Sequence, residues 1–360
     1  MKNPSLSIAV IGTGWWATSS HIPALQANSN VTKIVLCDSN PAKLEAAGKA
    51  FDLELRYTDL QEMLEHERLD GVVVATNHAS HFLITKTCLE HGLHVMLEKP
   101  MTLHASHARE LVELADAKHL ELILGYPWHY TREAIEARAL LASGELGAVQ
   151  YVMCSAVNTI IGFLRGDLEL QAAVHGPGNV YAQPELSGGG EGHLQITHSA
   201  ALMFFTTGLR PKRVHALMHN HGLALDLVDV MMLEFEGGAL GSVGGTGNGF
   251  SGHVDLQVHC ERGGIELDMY ARRAVIVGAN RERRVLESPN QGEQMYPRDA
   301  PVNNLIEVIL GQGTKGSSAE IGWRTVEFLE AAYRSAAQDG QGVLVESLYI
   351  SASSNKRRKS

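Results

Sequence analysis

SIAVIGTGWWA, residues 7–17, decides the fold. The run from Ile8 to Ile11 is apolar without alternation, as a strand buried on both faces reads. It stops at Gly12-Thr-Gly14-Trp15-Trp16-Ala17, and a helix is expected over roughly 16–29, through HIPALQAN. Gly12 permits a tight turn, Gly14 lets a pyrophosphate approach backbone N–H groups, and Ala17 allows close helix–strand packing. The string alone is weak in a chain with 36 glycines. Its place between a strand and a helix gives it weight.

Working outward, KIVLCDSNPAKLEAAGKAF (33–51) is a second strand that ends at Asp38, then a turn and a helix. LDGVVVATNHASHFLITKTCLEHG (69–92) repeats the unit, and HVMLEKP (94–100) begins a fourth. Alternation at this spacing predicts an α/β chain whose first domain, residues 1–125, is a Rossmann-type parallel sheet covered on both faces. Asp38 is placed to accept hydrogen bonds from an adenosine ribose. Its charge repels a 2′-phosphate, which favours NAD over NADP. A degenerate domain without nucleotide fits the same strings.

Ligands sit beyond the carboxyl ends of such strands. Candidate cofactor contacts are therefore Gly12, Gly14, Trp15, Trp16, Asp38, Thr76, Asn77, His78, Glu98 and Lys99. Lys99 lies where a nicotinamide and its substrate would meet, and Pro100 holds its backbone extended or in a turn.

The bulk properties exclude several classes. With 360 residues the chain has room for two cores. Its net charge of −10 gives no support to nucleic-acid binding. No run of 18 apolar residues suggests a membrane span, and the amino terminus lacks the apolar core of a signal peptide. Cys37, Cys88, Cys154 and Cys260 form no CxxC pair, which suits a reducing cytoplasm. The basic string NKRRK (355–359) is expected to be a solvated end.

After ELILGYPWHYTREA the organisation changes. Residues 126–342 are expected to form a second α/β domain, and 343–360 an extension. A helix over 131–143 and a strand over 149–157 precede a long irregular stretch, which reads as a binding loop. RVHALMHN, LVDVMMLEFEGG, LGSVGGTG, VDLQVHCERGG and IELDMYARRAVIVG read as strands of an open, mostly antiparallel sheet. A last helix is expected over 318–337. An uncovered sheet face would suit a homodimer or homotetramer.

GGGEGHLQITH (188–198) leads into a helix. With α-helical spacing, His198 shares a face with Leu194 and Gln195, whereas His193 points elsewhere. That separation, with no HExxH string, argues against a metal site. His198 has a proton-transfer reading, and either it or Lys99 could take a hydroxyl proton. A structural histidine is the alternative. Candidate substrate contacts are Trp128, His129, Tyr130, Arg165, Gln195 and His198. Arg165 suits a carboxylate, or else a surface ion pair.

AVIGTGWWA followed by HIPAL, then VLCD, VVVATNHASH, HVMLEKPMT, GGGEGHLQITH and EAAYRSA together resemble the Gfo/Idh/MocA oxidoreductases over about residues 7–340. The resemblance implies an NAD- or NADP-binding Rossmann domain, a carboxyl-terminal domain that supplies substrate wall and oligomer surface, and a catalytic lysine at Lys99. It also implies an aspartate and a histidine four residues apart. The histidine falls on His198, but the aspartate position falls on Leu194, beside Gln195, as in a QxxH branch. The expected activity is NAD-dependent oxidation of a secondary alcohol of a sugar, polyol or sugar acid. Transient oxidation during glycoside cleavage, internal redox with retained cofactor, and a non-catalytic NAD-binding regulator are the alternatives.

Overall fold

The structure is a computed structural model and describes residues 5–168, 174–287 and 295–350. The basic string at 355–359 lies outside the described residues.

The first sheet contains β1 (Leu6–Ile11), β2 (Val31–Cys37), β3 (Arg56–Tyr57), β4 (Gly71–Val74), β5 (His94–Leu97) and β6 (Leu122–Leu124). All pairings are parallel, in the order β3-β2-β1-β4-β5-β6. The order reverses between β1 and β4, and the crevice at that switch point is where a doubly wound sheet binds ligands. Ile8, Ala9, Val10, Val72, Val73 and Val74 are fully buried, as a sheet with two covered faces requires. The connecting helices are α1 (Ile22–Ala27), α2 (Pro41–Phe51), α3 (Leu60–His66), α4 (His81–Glu90) and α5 (Ala105–Lys118). Asn40 caps α2 by accepting from Ala42 N and Lys43 N, and Asp59 caps α3 by accepting from Glu62 N.

The second sheet has nine strands: β7 (Val149–Thr159), β8 (Pro211–His219), β9 (Val228–Phe235), β10 (Leu240–Thr246), β11 (Asn248–Cys260), β12 (Gly263–Asp268), β13 (Arg273–Val277), β14 (Arg283–Glu287) and β15 (Val343–Leu344). The order is β14-β13-β12-β11-β7-β10-β9-β8-β15, antiparallel except for β7 with β10. The stretch IELDMYARRAVIVG, expected as one strand, is a hairpin. Asp268 Oδ1 accepts from the N–H groups of Tyr270 and Ala271, and Arg272 takes a left-handed φ of 53°, so the chain reverses between β12 and β13.

The remaining helices are α6 (Arg132–Ala142), α7 (Ile161–Arg165), α8 (Pro184–Ser187), α9 (Thr197–Thr207), α10 (Ala300–Ile309) and α11 (Ala319–Ala336). Buried side chains of α9 and α11 join those of β7–β12 and of α5 in one continuous core. Helix α10, late in the chain, buries Val302, Leu305 and Ile306 with Ile8 and Val10 of β1, so it covers the first sheet. The opposite face of the second sheet leaves Leu217, Val230, Met232 and Leu240 exposed. All four cysteines are buried and unpaired. Among the described residues, no helix is long and apolar enough to cross a membrane.

Candidate active site

Two adjoining cavities fill the crevice at the switch point. The larger, about 480 Å³, runs over the amino-terminal motif. Gly12, Gly14, Trp15, Trp16, Asp38, Thr76, Asn77 and His78 all line it. Gly12 has a φ of 91°, and a Cβ there would meet the carbonyl oxygen of Ala75 at 2.5 Å, so no other residue fits that turn. Gly14 faces open space, which leaves the helix-terminal N–H groups accessible to an anion. The helix begins with a π-helical turn (Ala17–His21) that passes into α1. Asp38 Oδ2 accepts from Thr13 N (2.7 Å) and Thr13 Oγ1 (3.0 Å), while Oδ1 accepts from Asn40 N (2.8 Å). The carboxylate thus braces the glycine turn and still lines the cavity.

The outer wall of this cavity comes from the long irregular stretch of the second domain. Gly176, Pro177, Asn179, Val180 and Tyr181 line it, and His175 Nε2 lies 2.6 Å from the carbonyl oxygen of Thr13. Residues 175–181 of that stretch lie over the glycine turn. His78 Nδ1, 2.8 Å from the Ser187 carbonyl oxygen, ties the end of that loop to the end of β4.

The second cavity, about 290 Å³, lies where β4 and β5 end. It shares Trp15, Trp16, Ala75, Thr76, His78 and Tyr181 with the first. Its other walls include Glu98, Lys99, Trp128, Gln195, His198 and Tyr296. Strand β5 ends at Leu97, so Glu98 and Lys99 project into the crevice, and the Lys99–Pro100 peptide is cis. Lys99 Nζ donates to the carbonyl oxygen of Leu194 at 2.9 Å. Burial lowers the Lys99 pKa to about 8, against the pull of Glu98 and Glu191.

Glu98 is held too firmly to be a mobile acid. Its carboxylate accepts from Trp16 Nε1 (2.8 Å) and Lys99 N (3.1 Å) and lies 2.9 Å from His21 Nε2. Burial alone would raise its pKa, but the bond to His21 and the charges of His21 and Lys99 bring it below the ordinary carboxylate value.

The helix carrying His198 starts with a π-helical turn (Gly192–Ile196) before α9, a departure from the α-helical spacing expected for this segment. Such turns recur at functional sites. Gly190 N and Gly192 N donate to the Asp226 carboxylate at 2.8 and 2.9 Å, and a Cβ on Gly190 would collide with the Asp226 carbonyl oxygen. The glycine run lets the backbone close on Asp226. His193 leaves the site and stacks on Tyr333, with ring centroids 4.7 Å apart. His198 enters it, ringed by Tyr126, Trp128 and Tyr296 at centroid distances of 5.8, 5.8 and 5.7 Å. Burial, with Lys99 and His129 adding to it, lowers the His198 pKa well below 6.5, so the ring is neutral at pH 7. The Tyr296 hydroxyl lies 3.3 Å from His198 Nε2.

Three expected substrate contacts are not brought to this cavity. His129 is buried, stacks on Phe205 at 4.4 Å and bonds Ser317 Oγ through Nδ1 at 2.9 Å. Tyr130 turns toward α10 and donates to Asn304 Oδ1 at 3.2 Å. Both follow from the 3-10 turn Pro127–Tyr130, which sends successive side chains about a third of a turn apart. Only Trp128 points in. Arg165, at the exposed end of α7, lines neither cavity.

Tyr296 and Tyr181 were not expected. Tyr296 comes from a segment about 100 residues beyond His198 in sequence, and no motif surrounds it. Its neighbour in sequence, Met295, also lines the cavity.

A family model described as "Oxidoreductase family, NAD-binding Rossmann fold" matches residues 6–126. One described as "GFO/IDH/MocA C-terminal domain" matches residues 134–266. An uncharacterized oxidoreductase of Synechocystis sp. is 32% identical over 54% of this chain and 49% of its own length. D-glucoside 3-dehydrogenase of Escherichia coli is 28% identical over 53% of this chain and 50% of its own. The matches thus span about half the length of these relatives. A levoglucosan dehydrogenase solved with NADH and levoglucosan shares the fold, with a TM-score of 0.79 at 17% identity over 95% of this chain and 99% of that one.

Proposed function

This chain belongs to the Gfo/Idh/MocA oxidoreductase family, and from its site we propose that it oxidises a secondary alcohol of a sugar or polyol with NAD, using Lys99 as the acid/base group. The observation that carries this reading is Lys99 itself. It is a half-buried lysine just beyond the end of β5, with a pKa of about 8, in the cavity adjoining the dinucleotide crevice. A lysine that exchanges its proton near neutrality suits general acid/base work. It has no evident purpose in a binding-only protein. The names of relatives that act on glucosides and levoglucosan support the substrate class.

The residues present fit a dinucleotide. The turn at Gly12 and the open space at Gly14 would hold the pyrophosphate, Asp38 the adenosine ribose, and Thr76, Asn77 and His78 the stretch leading to the nicotinamide. Trp15 and Trp16 would wall the ring. Asp38 supports NAD over NADP, because its charge opposes a 2′-phosphate. When bound, the nicotinamide supplies the hydride acceptor.

In the oxidising direction the amine form of Lys99 takes the hydroxyl proton at Nζ. In the reducing direction the ammonium returns it to the carbonyl oxygen. The Leu194 carbonyl orients Nζ and the Glu98 carboxylate stays anionic nearby, which favours the ammonium without making it permanent. His198, neutral and hydrogen-bonded to Tyr296, holds the substrate hydroxyl and leaves proton transfer to Lys99. Gln195 and Trp128 complete the wall. The exposed apolar face of the second sheet supports a homo-oligomer.

The test is absorbance at 340 nm with NAD and a panel of polyols, aldoses, glycosides and sugar acids, run beside Lys99→Ala. NADH formation that is lost in the variant is the expected result. Cleavage of a glycoside without net NADH would instead support transient oxidation. NAD binding with no turnover of any kind would support a regulator and overturn the dehydrogenase reading.

A further inference from the structure

Glu98 and Lys99 are neighbours in sequence and opposite in charge, yet among the described residues no ion pair joins them. Lys99 Nζ donates to the Leu194 carbonyl oxygen instead. The Glu98 carboxylate is occupied elsewhere. His21 Nε2 lies 2.9 Å and Trp16 Nε1 2.8 Å from Oε1, and Lys99 N lies 3.1 Å from Oε2. A carboxylate only accepts, so His21 Nε2 carries the proton of its bond. Gly125 leaves room for the arrangement, since a Cβ there would meet Oε1 at 2.7 Å.

His21 has no other evident task. It lines neither cavity, it is fully buried, and its Nδ1 has no partner. A buried ring with an unsatisfied nitrogen costs stability that an apolar side chain would spare. The backbone is nonetheless shaped to aim it. Trp16 precedes and His21 closes the π-helical turn, in which Ile22 N donates to Ala17 O, five residues back. Residues five apart point about 140° apart around an α-helix, and the wider π turn brings them toward one face. Both side chains thereby reach the same carboxylate oxygen.

The other titratable groups facing Lys99 are Glu191 from the turn before α9, His198 from α9, and His78 and His81 from the segment after β4. Burial pushes the Glu191 carboxyl well up and the three imidazoles down, each toward its neutral form. Glu98, which burial alone would push up and the bond to His21 brings below the ordinary value, is the anion that remains. A direct Glu98–Lys99 pair would hold Nζ as an ammonium and keep it from accepting a proton near neutrality.

We propose that His21 is a positioning residue: together with Trp16 it keeps the Glu98 carboxylate from pairing with Lys99 Nζ, and so leaves the lysine free to exchange its proton with substrate. The exchange with substrate rests on the dehydrogenase reading; the restraint itself is a property of the folded chain.

Trace acetylation of the full chain by acetic anhydride, followed at the Lys99 peptide by mass spectrometry from pH 6 to 11, titrates Nζ without any turnover. NADH formation is followed in parallel at 340 nm. The wild-type midpoint is expected near 8. In His21→Leu the freed carboxylate pairs with Nζ, and the midpoint rises by about one unit. In Glu98→Gln it falls by about one unit. In the double variant the rise disappears, because His21 acts only through Glu98. His21→Gln keeps an N–H for Oε1 and stays near wild type, and His21→Met replaces the leucine variant if that one does not fold. A midpoint in His21→Leu that is unchanged or lower, or a rise that persists in the double variant, overturns the inference even where Lys99 proves essential for NADH formation. A midpoint that rises as stated, in a chain that oxidises no sugar, upholds the restraint and instead removes the dehydrogenase reading.

Discussion

Lys99 Nζ lies 2.9 Å from the carbonyl oxygen of Leu194, so the end of β5 and the π-helical turn before α9 meet in one hydrogen bond. Lys99 follows a strand of the first sheet, and the carbonyl that orients it belongs to the helix of the second domain. On the acid/base role we propose for Lys99, packing between the two would set the geometry of proton transfer.

Replacement of Lys99 by alanine should lower kcat for sugar oxidation by roughly 10²–10⁴-fold, the range for a lost general acid/base group. NAD affinity should change little, because the glycine turn and Asp38 are untouched. Steady-state kinetics beside calorimetric NAD binding check both halves. A fall in NAD affinity that accounts for the whole loss would argue for a purely structural lysine.

Tyr296→Phe removes one hydrogen bond to His198 and keeps the ring. A loss of about 0.5–1.5 kcal/mol is expected, or roughly 2- to 13-fold in kcat/KM. His198→Asn should cost more. The pH profile of either variant should keep the inflection that Lys99 sets. An inflection that moves or vanishes in His198→Asn would assign the titrating group to the histidine.

Asp38→Ala should weaken NAD binding and narrow the preference for NAD over NADP, since the opposing charge is gone. Because Asp38 also braces Thr13, the thermal midpoint should fall slightly. Separate dissociation constants for the two dinucleotides test this. An unchanged ratio would show that Asp38 serves the turn alone.

Asp229 is fully buried, and burial first, then Asp226, raise its pKa to about 10. The unfolded chain ionises this group near the ordinary value of 3.8. Between those limits the folded state binds more protons, so stability falls as pH rises from about 4 toward about 10. Asp229→Asn removes that penalty. Its thermal midpoint should exceed wild type at pH 8, with the gap shrinking toward pH 5. A lower midpoint at pH 8 would show that the carboxyl itself is needed.

The first domain was legible because each parallel strand is a continuous apolar run and each site residue follows its strand immediately. Asp38, Thr76, Asn77, Glu98 and Lys99 could be placed by counting from strand ends. The second half of the site yields less to such counting. Whether Trp128, His129 or Tyr130 faces the cavity depends on a short 3-10 turn, and Arg165 on how a five-residue helix ends. Tyr296 reaches His198 only because the chain, after β14, returns to the crevice before α10 crosses to the first sheet. The two π-helical turns carry no sequence signature, yet one of them aligns Leu194 with Lys99. Residues 300–309 fell inside the stretch expected as the second domain, yet as α10 they cover the first sheet, which no local pattern in the sequence marks.

The most direct test of Lys99 as the proton-transfer group is the pH dependence of kcat/KM for NAD-dependent oxidation, from pH 6 to 10, in wild type and Lys99→Arg. Oxidation needs the amine form, so the wild-type rate should rise with pH and level off above a midpoint near 8. The arginine variant, charged throughout, should be nearly inactive and show no such rise. A flat wild-type profile, or the same midpoint in active Lys99→Arg, would contradict the assignment.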